Sequence, residues 1–496
     1  MSRRTMRYSL LGGALLLAGC AVGPNFTPPD AKAPPAWHDP MASDVTAPAR
    51  VTSEADPDPR WWLAFNDPEL TSLIERATRG NLDLQVAVLR IDQARAGETT
   101  AAAQGLPSVS ANASYTREQL GVKGLAEENS GGLSGGGPLG GLINGFEQPI
   151  GLYQGALDAS WELDLFGKVR RSVESARAAT AAQIGDRDDA LVSLQAEVAE
   201  TYARLRAAQA ARAAAMSDIA AEREVLDLTR DRARRGLVST LDVENATAQV
   251  GATEALVPQY DQQIAQNLNG LAVLLGQTPG ALDAELIAAA PIPPPPPEAP
   301  IGLPSGLARR RPDIRAAEAR LHEQTAQVGV AVAQLYPDIS LTGQVGQRAE
   351  NAGDLARWAN NFYSFGPSVS LPIFEGGRLK ANVRLARSEQ AQAALQYRKT
   401  VLTALQDVEN ALAAFRTEQQ RRKSLEATVT ADETALFLAR DRYDHGLSTF
   451  IDVLTDEANL IQARQELIQS TLAVTTNLVT LYKALGGGWR APDSPA

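Results

Sequence analysis

Cysteine occurs once in the 496 residues, at Cys20, so the chain offers no disulfide framework. Histidine occurs three times, at His38, His322 and His445, and no recurring spacing joins them to cysteine or to acidic residues. Zinc and thiol chemistry are thereby excluded, and no metal site is expected. The chain has no Ser/His/Asp set on plausible loops and no phosphate-cradling glycine loop, so no catalytic residue and no cofactor are expected and the chain does not read as an enzyme. The net charge is −11 with no basic cluster, which argues against a protein that tracks nucleic acid phosphates. Beyond the N-terminus no eighteen consecutive residues are apolar, so a membrane span has to be built from strands.

What the N-terminus does have is an export address. Arg3, Arg4 and Arg7 precede the short apolar run LLGGALLLAGC, which is too short to cross a bilayer and has the layout of a secretory signal. The run ends Leu17-Ala18-Gly19-Cys20, which resembles a bacterial lipoprotein box. Residues 1–19 are therefore expected to be removed and Cys20 to carry covalent lipid, such as palmitate. Ala21 is not an aspartate and permits sorting to the outer membrane.

The dominant feature is an internal repeat. RDRARRGLVSTLDV from Arg230 aligns without a gap with RDRYDHGLSTFIDV from Arg440, an offset of 210 residues. The offset continues through Val243, Val250, Val257, Ile264 and Leu271, paired with Val453, Leu460, Leu467, Val474 and Leu481. An apolar seam every seven residues is a coiled-coil pattern, so each copy reads as a long helix, a Gly-Leu turn and a second helix returning antiparallel. Gly236 and Gly446 suit the left-handed position that ends a helix. The helix from about Lys168 to about Asp231 would be about 95 Å long at 1.5 Å per residue. Upstream, the stretch from Asn81 matches the stretch from Arg311, with Pro107 facing Pro337. The first copy is longer because of a glycine-rich insertion, SGGLSGGGPLGGLING, which reads as an exposed loop.

Between these helices the period changes to two. Val109, Ala111, Ala113 and Tyr115 alternate with small polar residues, as do Ile339, Leu341, Gly343 and Val345 in the second copy. Leu157, Ala159, Trp161, Leu163 and Leu165 alternate with Asp158, Ser160, Glu162 and Asp164, and Phe365, Val369, Leu371 and Ile373 with serines. These are strands of about ten residues, apolar toward lipid and polar toward a lumen. Asp158, Glu162 and Asp164 should face that lumen, since a charge against lipid costs several kcal/mol at mid-membrane, about 2–4 for a basic residue and less for an acid. Four strands cannot close around a channel, and open edges in lipid leave backbone groups unpaired. Copies of the chain must therefore assemble; three would supply roughly twelve strands, whereas two would leave little or no channel.

Five blocks, in order, carry a resemblance: CAVGPNF after the lipid site, WWLAFNDPELTSLIERATRGNLDLQVAVLRIDQARA from Trp61, SWELDLFGKVR from Ser160, LPSGLARRRPDIRAAEARL from Leu303 and LPIFEGGRLKANV from Leu371. The chain resembles the outer membrane factor family of tripartite efflux pumps, in its lipoprotein branch, over nearly the whole mature length. The resemblance implies an α+β membrane channel-tunnel: a homotrimer with a β-barrel in the outer membrane lipids, a long periplasmic α-barrel and an equatorial domain. It implies as partners a periplasmic adaptor protein and an inner membrane RND-type pump, and a lipid-anchored outer membrane location extending into the periplasm. By position, Gly236, Leu237, Val238, Ser239, Gly446, Leu447, Ser448 and Thr449 become adaptor-docking tips. Asp242, Tyr443 and Asp452 match positions where relatives close the tunnel. Relatives commonly carry a further aspartate where this chain has Thr455, and Asp456, one helical step on, is the candidate replacement.

The expected organisation is a signal peptide at 1–19, a lipidated segment at 20–60, repeat 1 at 61–275, a proline-rich linker and equatorial region at 276–304, repeat 2 at 305–486 and a tail at 487–496. The function expected is that of the outer membrane channel of a tripartite pump exporting small molecules and drugs. The alternatives are the outlet of a type I protein secretion system and a non-conducting coiled-coil envelope lipoprotein.

Overall fold

The computed structural model describes residues 21–38, 50–53, 55–119 and 149–489; Cys20 and the core of the glycine-rich insertion lie outside them. The main elements in chain order are β1 (Arg50–Thr52), α1 (Pro68–Gly80), α2 (Leu82–Ala103), β2 (Ser108–Glu118), β3 (Ile150–Glu162), α3 (Lys168–Arg234), α4 (Thr240–Glu254) and α5 (Leu256–Leu274). They continue as β4 (Glu298–Pro300), α6 (Pro312–Ala333), β5 (Asp338–Ala349), β6 (Asn361–Ser370), α7 (Arg378–Asp444) and α8 (Phe450–Ala484). The chain divides into two compact units, 1–27 with 94–179 and 321–392, and 28–93 with 180–320 and 393–496. Each takes pieces from both copies of the repeat, because each copy contributes one strand pair and one helical hairpin.

The first unit holds an antiparallel sheet of order β2-β3-β5-β6. Its register lines up Ala111, Leu157, Val345 and Tyr363 on one face, and Leu157, Val345 and Tyr363 are exposed there. The neighbouring row places Ser110, Asp158, Gln344 and Ser364 on the other face. An exposed apolar face backed by a polar one is the pattern of a strand set between lipid and water. Two of the expected strands end earlier than their alternation suggests. β3 stops at Glu162, and Asp164 accepts hydrogen bonds from the backbone N–H groups of Val169 (3.1 Å) and Arg170 (2.9 Å), capping α3. β6 stops at Ser370, so Leu371 and Ile373 lie beyond the sheet.

The N-terminal residues of the described chain are fastened to the same unit. Val22 N–H donates to Phe166 O (3.1 Å), and Arg171 donates to Val22 O (3.2 Å) and Asn25 Oδ1 (2.7 Å). Phe26 stacks on His322 at 4.3 Å, and the imidazole Nε2 lies 2.9 Å from Glu174 Oε1. The strap that follows Cys20 is thus held by hydrogen bonds and ring contact along its length.

The second unit is helical. The seven-residue seams become its core: Val198 and Leu205 on α3, Leu271 on α5, Val401, Val408 and Phe415 on α7, and Val474 and Leu481 on α8 are all buried together. Trp61 stacks on Tyr482 at 5.3 Å within this core. Asp67 caps α1 by accepting from Glu69 N (2.9 Å) and Leu70 N (3.0 Å), with Pro68 at the first helical position. The proline run is packed rather than a free spacer: Pro293 O accepts from Thr475 Oγ1 (2.9 Å), and the run leads into β4, which pairs in parallel with β1. A second apolar cluster, nearer the turns, joins Leu226, Val250, Leu436, Phe450, Val453 and Leu460.

The two hairpins differ on the return. α3 and α7 both span 67 residues, about 100 Å at 1.5 Å per residue. α8 then runs 35 residues without a break, whereas the first copy returns as two helices separated at Ala255. Pro258 supplies the reason, since it has no N–H for the Glu254 carbonyl and its ring crowds that carbonyl. Gly251, four residues before the break, adds backbone freedom.

Candidate functional site

The repeated motif forms two matching turns. Gly236 and Gly446 both have φ +71°, and an added Cβ would meet nothing within 4 Å at either, so the left-handed backbone alone asks for glycine. Leu237 N–H donates to Arg232 O (3.0 Å), and Leu447 N–H to Arg442 O (2.8 Å), closing the preceding helices in the same way. Leu237 and Leu447 are each 69% exposed at the tip of their turn, and Leu241 and Ile451 are exposed one turn further on. Val238 and Ser448 are half-buried, while Ser239 and Thr449 begin the return helices.

Asp242 and Asp452 are engaged in their own turns. Asp242 Oδ2 accepts from Ser239 N (3.0 Å) while Ser239 Oγ accepts from Asp242 N (3.3 Å). Thr449 and Asp452 form the same reciprocal cap, with Thr449 N donating to Asp452 Oδ2 at 2.9 Å. The Thr449 N–H and hydroxyl hold the Asp452 carboxyl below its ordinary range. The spacing S-x-x-D and T-x-x-D carries the signal for these caps in the sequence. Asp456 is half-exposed on α8, and Thr455 donates its hydroxyl to Ile451 O (2.8 Å).

Tyr443 packs on Phe450 with ring centroids 5.3 Å apart, and the Arg232 guanidinium lies 5.1 Å from the Tyr443 ring centre. Arg232 Nη2 also donates to Asp444 Oδ1 at 2.8 Å. The end of α3 is thus pinned to the end of α7 by an ion pair and a cation–π contact.

Behind the turns lies a set of buried charges that the residue patterns left unnoticed. Glu457 on α8 is 5% exposed and accepts from Arg440 Nη2 of α7 at 2.7 Å. Asp218 on α3 accepts from Arg464 of α8 at 3.0 Å, and the same guanidinium reaches Glu433 of α7 at 2.8 Å. Glu222 on α3 is 3% exposed and accepts from Gln249 (3.0 Å) and Thr253 (2.8 Å) of α4. Burial pushes the carboxyls of Asp218, Glu222 and Glu457 above their ordinary values. The available signal was an acid in the apolar register: Glu457 stands four residues after Val453 and three before Leu460, both in the seam.

In the strand unit, Asp158 accepts from Asn112 Nδ2 of the neighbouring strand, and Glu162 pairs with Lys168 at 2.9 Å. Asp164, as described, caps α3 and also pairs with Arg170 at 3.1 Å. Among the described residues no group of three or more His, Cys, Asp or Glu could hold a metal ion. No helix among them is long and apolar enough to cross a membrane.

The family model for outer membrane efflux proteins matches residues 73–277 and 303–487, one match for each copy of the repeat. This chain belongs to the outer membrane efflux protein family. It is 33% identical to nodulation protein T of Rhizobium leguminosarum bv. trifolii over 98% of each chain. It is also 33% identical to the probable efflux pump outer membrane protein TtgC of Pseudomonas putida, over 97% of this chain and 95% of the relative. Among solved structures, the outer-membrane channel OprN superposes with a TM-score of 0.83 at 33% identity, covering 95% of this chain and all of that one. The fold is the channel-tunnel of this family, and the protein resides in the outer membrane and extends into the periplasm.

Proposed function

We propose that this chain is the exit duct of a tripartite efflux pump, and that three copies close their sheets into one outer membrane barrel continued by a tube of helices. The observation that carries this reading is the sheet itself: an exposed apolar face, a polar row through Asp158 and Gln344, and edge strands β2 and β6 each paired on one side only. In a membrane such edges call for further copies of the chain. The names of two Pseudomonas putida relatives, an antibiotic efflux pump outer membrane protein and a toluene efflux pump outer membrane protein, support small molecules and drugs as cargo.

The remaining assignments follow from the same reading. Acyl chains on Cys20 anchor the protein to the inner leaflet of the outer membrane, and the strap from Val22 to Phe26 fixes where they leave the fold. The exposed leucines Leu237 and Leu447, with Gly236, Val238, Ser239, Gly446, Ser448 and Thr449, receive a periplasmic adaptor that couples the duct to an inner membrane RND-type pump. The gate lies at the second hairpin, where Tyr443 and Asp456 face the closure and Asp242 and Asp452 act by holding the turns in shape. Asp158 and Glu162 line the barrel lumen and favour cations; Asp164 stands at its edge.

The test is electrical. The protein purified in mild detergent should run as a trimer and form cation-preferring channels in planar bilayers, with Asp158→Asn combined with Glu162→Gln reducing the preference. A monodisperse monomer without conductance would overturn the reading.

A further inference from the structure

Behind the turns α3, α7 and α8 share two interior arginine–carboxylate pairs, and one further buried carboxylate has no cation partner among the described residues. Asp218 has Arg464, and Glu457 has Arg440. Glu222 has only neutral donors, Gln249 Nε2 and Thr253 Oγ1, both to its Oε1; its other oxygen, Oε2, is buried with no hydrogen-bond partner. We propose that Glu222 is a buried proton-binding site that locks α4 against α3, so that the first hairpin is clamped when the site is protonated and released when it ionises.

The surroundings decide which form is favoured. On its own helix Glu222 has Asp218 one turn away, and the neighbouring Arg223 is taken by Glu254 of α4. From α8 come Glu457 and Arg464, and from α7 Glu433 and Arg440, so both arginines are already engaged with other carboxylates. The charges nearest in effect, Glu457 and Asp218, repel an ionised Glu222, and burial opposes ionisation more strongly still. As a neutral acid with its proton on Oε2, Glu222 keeps both hydrogen bonds at Oε1, accepting from Gln249 Nε2 and from Thr253 Oγ1. Both donors belong to α4, so the neutral acid holds that helix and leaves no charge unbalanced.

The segment so held is the one able to move. α4 is only 15 residues long, contains Gly251, and is separated from α5 at Ala255, two residues past Thr253. The sign follows from linkage: a carboxyl raised in the packed state contributes its stabilisation fully below its value in the open state, and loses it as pH rises through the packed-state value. α4 is therefore clamped at low pH and released as pH rises through the raised packed-state value. The consequence for a tunnel rests on the channel reading given above; the lock itself does not.

Hydrogen–deuterium exchange of the full-length protein in detergent tests the lock at pH 5 to 8, after correction for intrinsic exchange chemistry. The opening of α4 should increase by up to about tenfold per pH unit across the titration, with the Glu222→Gln protein as the reference. Glu222→Gln, which copies the neutral acid in shape, should stay at the protected level throughout, whereas Glu457→Gln should keep the wild-type slope. A wild-type α4 without such a slope, or a Glu222→Gln protein with the wild-type slope, overturns the proposal. Infrared spectra offer a second reading: the difference between wild type and Glu222→Gln should contain a band of an un-ionised carboxylic acid at pH values where an ordinary glutamate is ionised, and its absence also overturns the lock. Loss of conductance with the slope intact would fault the channel reading and leave the lock standing.

Discussion

The two helical hairpins align without a gap at the turn and diverge behind it. At the offset of 210 residues, Gly251 and Pro258 of the first correspond to Ile461 and Ile468 of the second, and Glu222 corresponds to Asp432. The first hairpin thus returns through a broken helix beside an acid with no cation, and the second through a 35-residue helix whose buried acid, Glu457, is paired. Duplication preserved what the turn requires, a left-handed glycine and a capping box, because those are set by local backbone geometry. It did not preserve the packed interior, where each helix meets different neighbours.

The comparison can be broken most directly by exchanging the helix breaker. Ile468→Pro should interrupt α8 and destabilise the second hairpin by about 3 kcal/mol or more, seen as a fall in the melting temperature and new exchange in α8. Glu457→Ala should come next, at about 2 kcal/mol, because it leaves the half-buried Arg440 beside an uncompensated site. Its counterpart Thr247→Ala, at an exposed position whose hydroxyl bonds only its own helix, should be close to neutral. Equality of those two changes would remove the distinction drawn between the hairpins.

Smaller effects sharpen the part the hairpins share. Ser239→Ala and Thr449→Ala should each cost about 1 kcal/mol, and a double-capped comparison by thermal unfolding should find them alike. Smallest is a pH effect outside both hairpins, at Glu69 on α1. Its carboxyl is pushed up to about 7 by burial and by neighbouring Glu285, which Arg76 holds ionised at 2.7 Å. A raised carboxyl stabilises below its unfolded value and loses that contribution as pH rises through about 7. Glu69→Gln should flatten the melting temperature between pH 5 and 8; an unchanged profile would assign the dependence to other groups.

Much of the architecture was legible because it rests on periodicity. Leu271, Val474 and Leu481 stand in the seven-residue seams and are core. The alternation through Val109 and Leu157 marked strands whose apolar residues are exposed. Strand ends were less legible: Asp164 continues the alternation of β3, yet its carboxylate serves the N-terminus of α3, a competition that alternation does not register. The break at Ala255 was carried by Pro258 and passed over because the apolar seam continues through it. Asp242 and Asp452 were read for charge, while their position three residues after Ser239 and Thr449 makes them caps.

What the sequence by itself determined is whatever depends on a residue and its near neighbours along the chain. That covers the repeat, the long helices, the turns at Gly236 and Gly446, and the two-faced strands, since period, capping and φ preference act over a few residues. Tertiary structure alone decided how charges were distributed among the helices behind the turns. Arg464 reaches Asp218, 246 positions away, and Arg232 reaches Asp444 across 212. Such pairings are set by which helices pack together, and the same packing left Glu222 buried, hydrogen-bonded and without a cation.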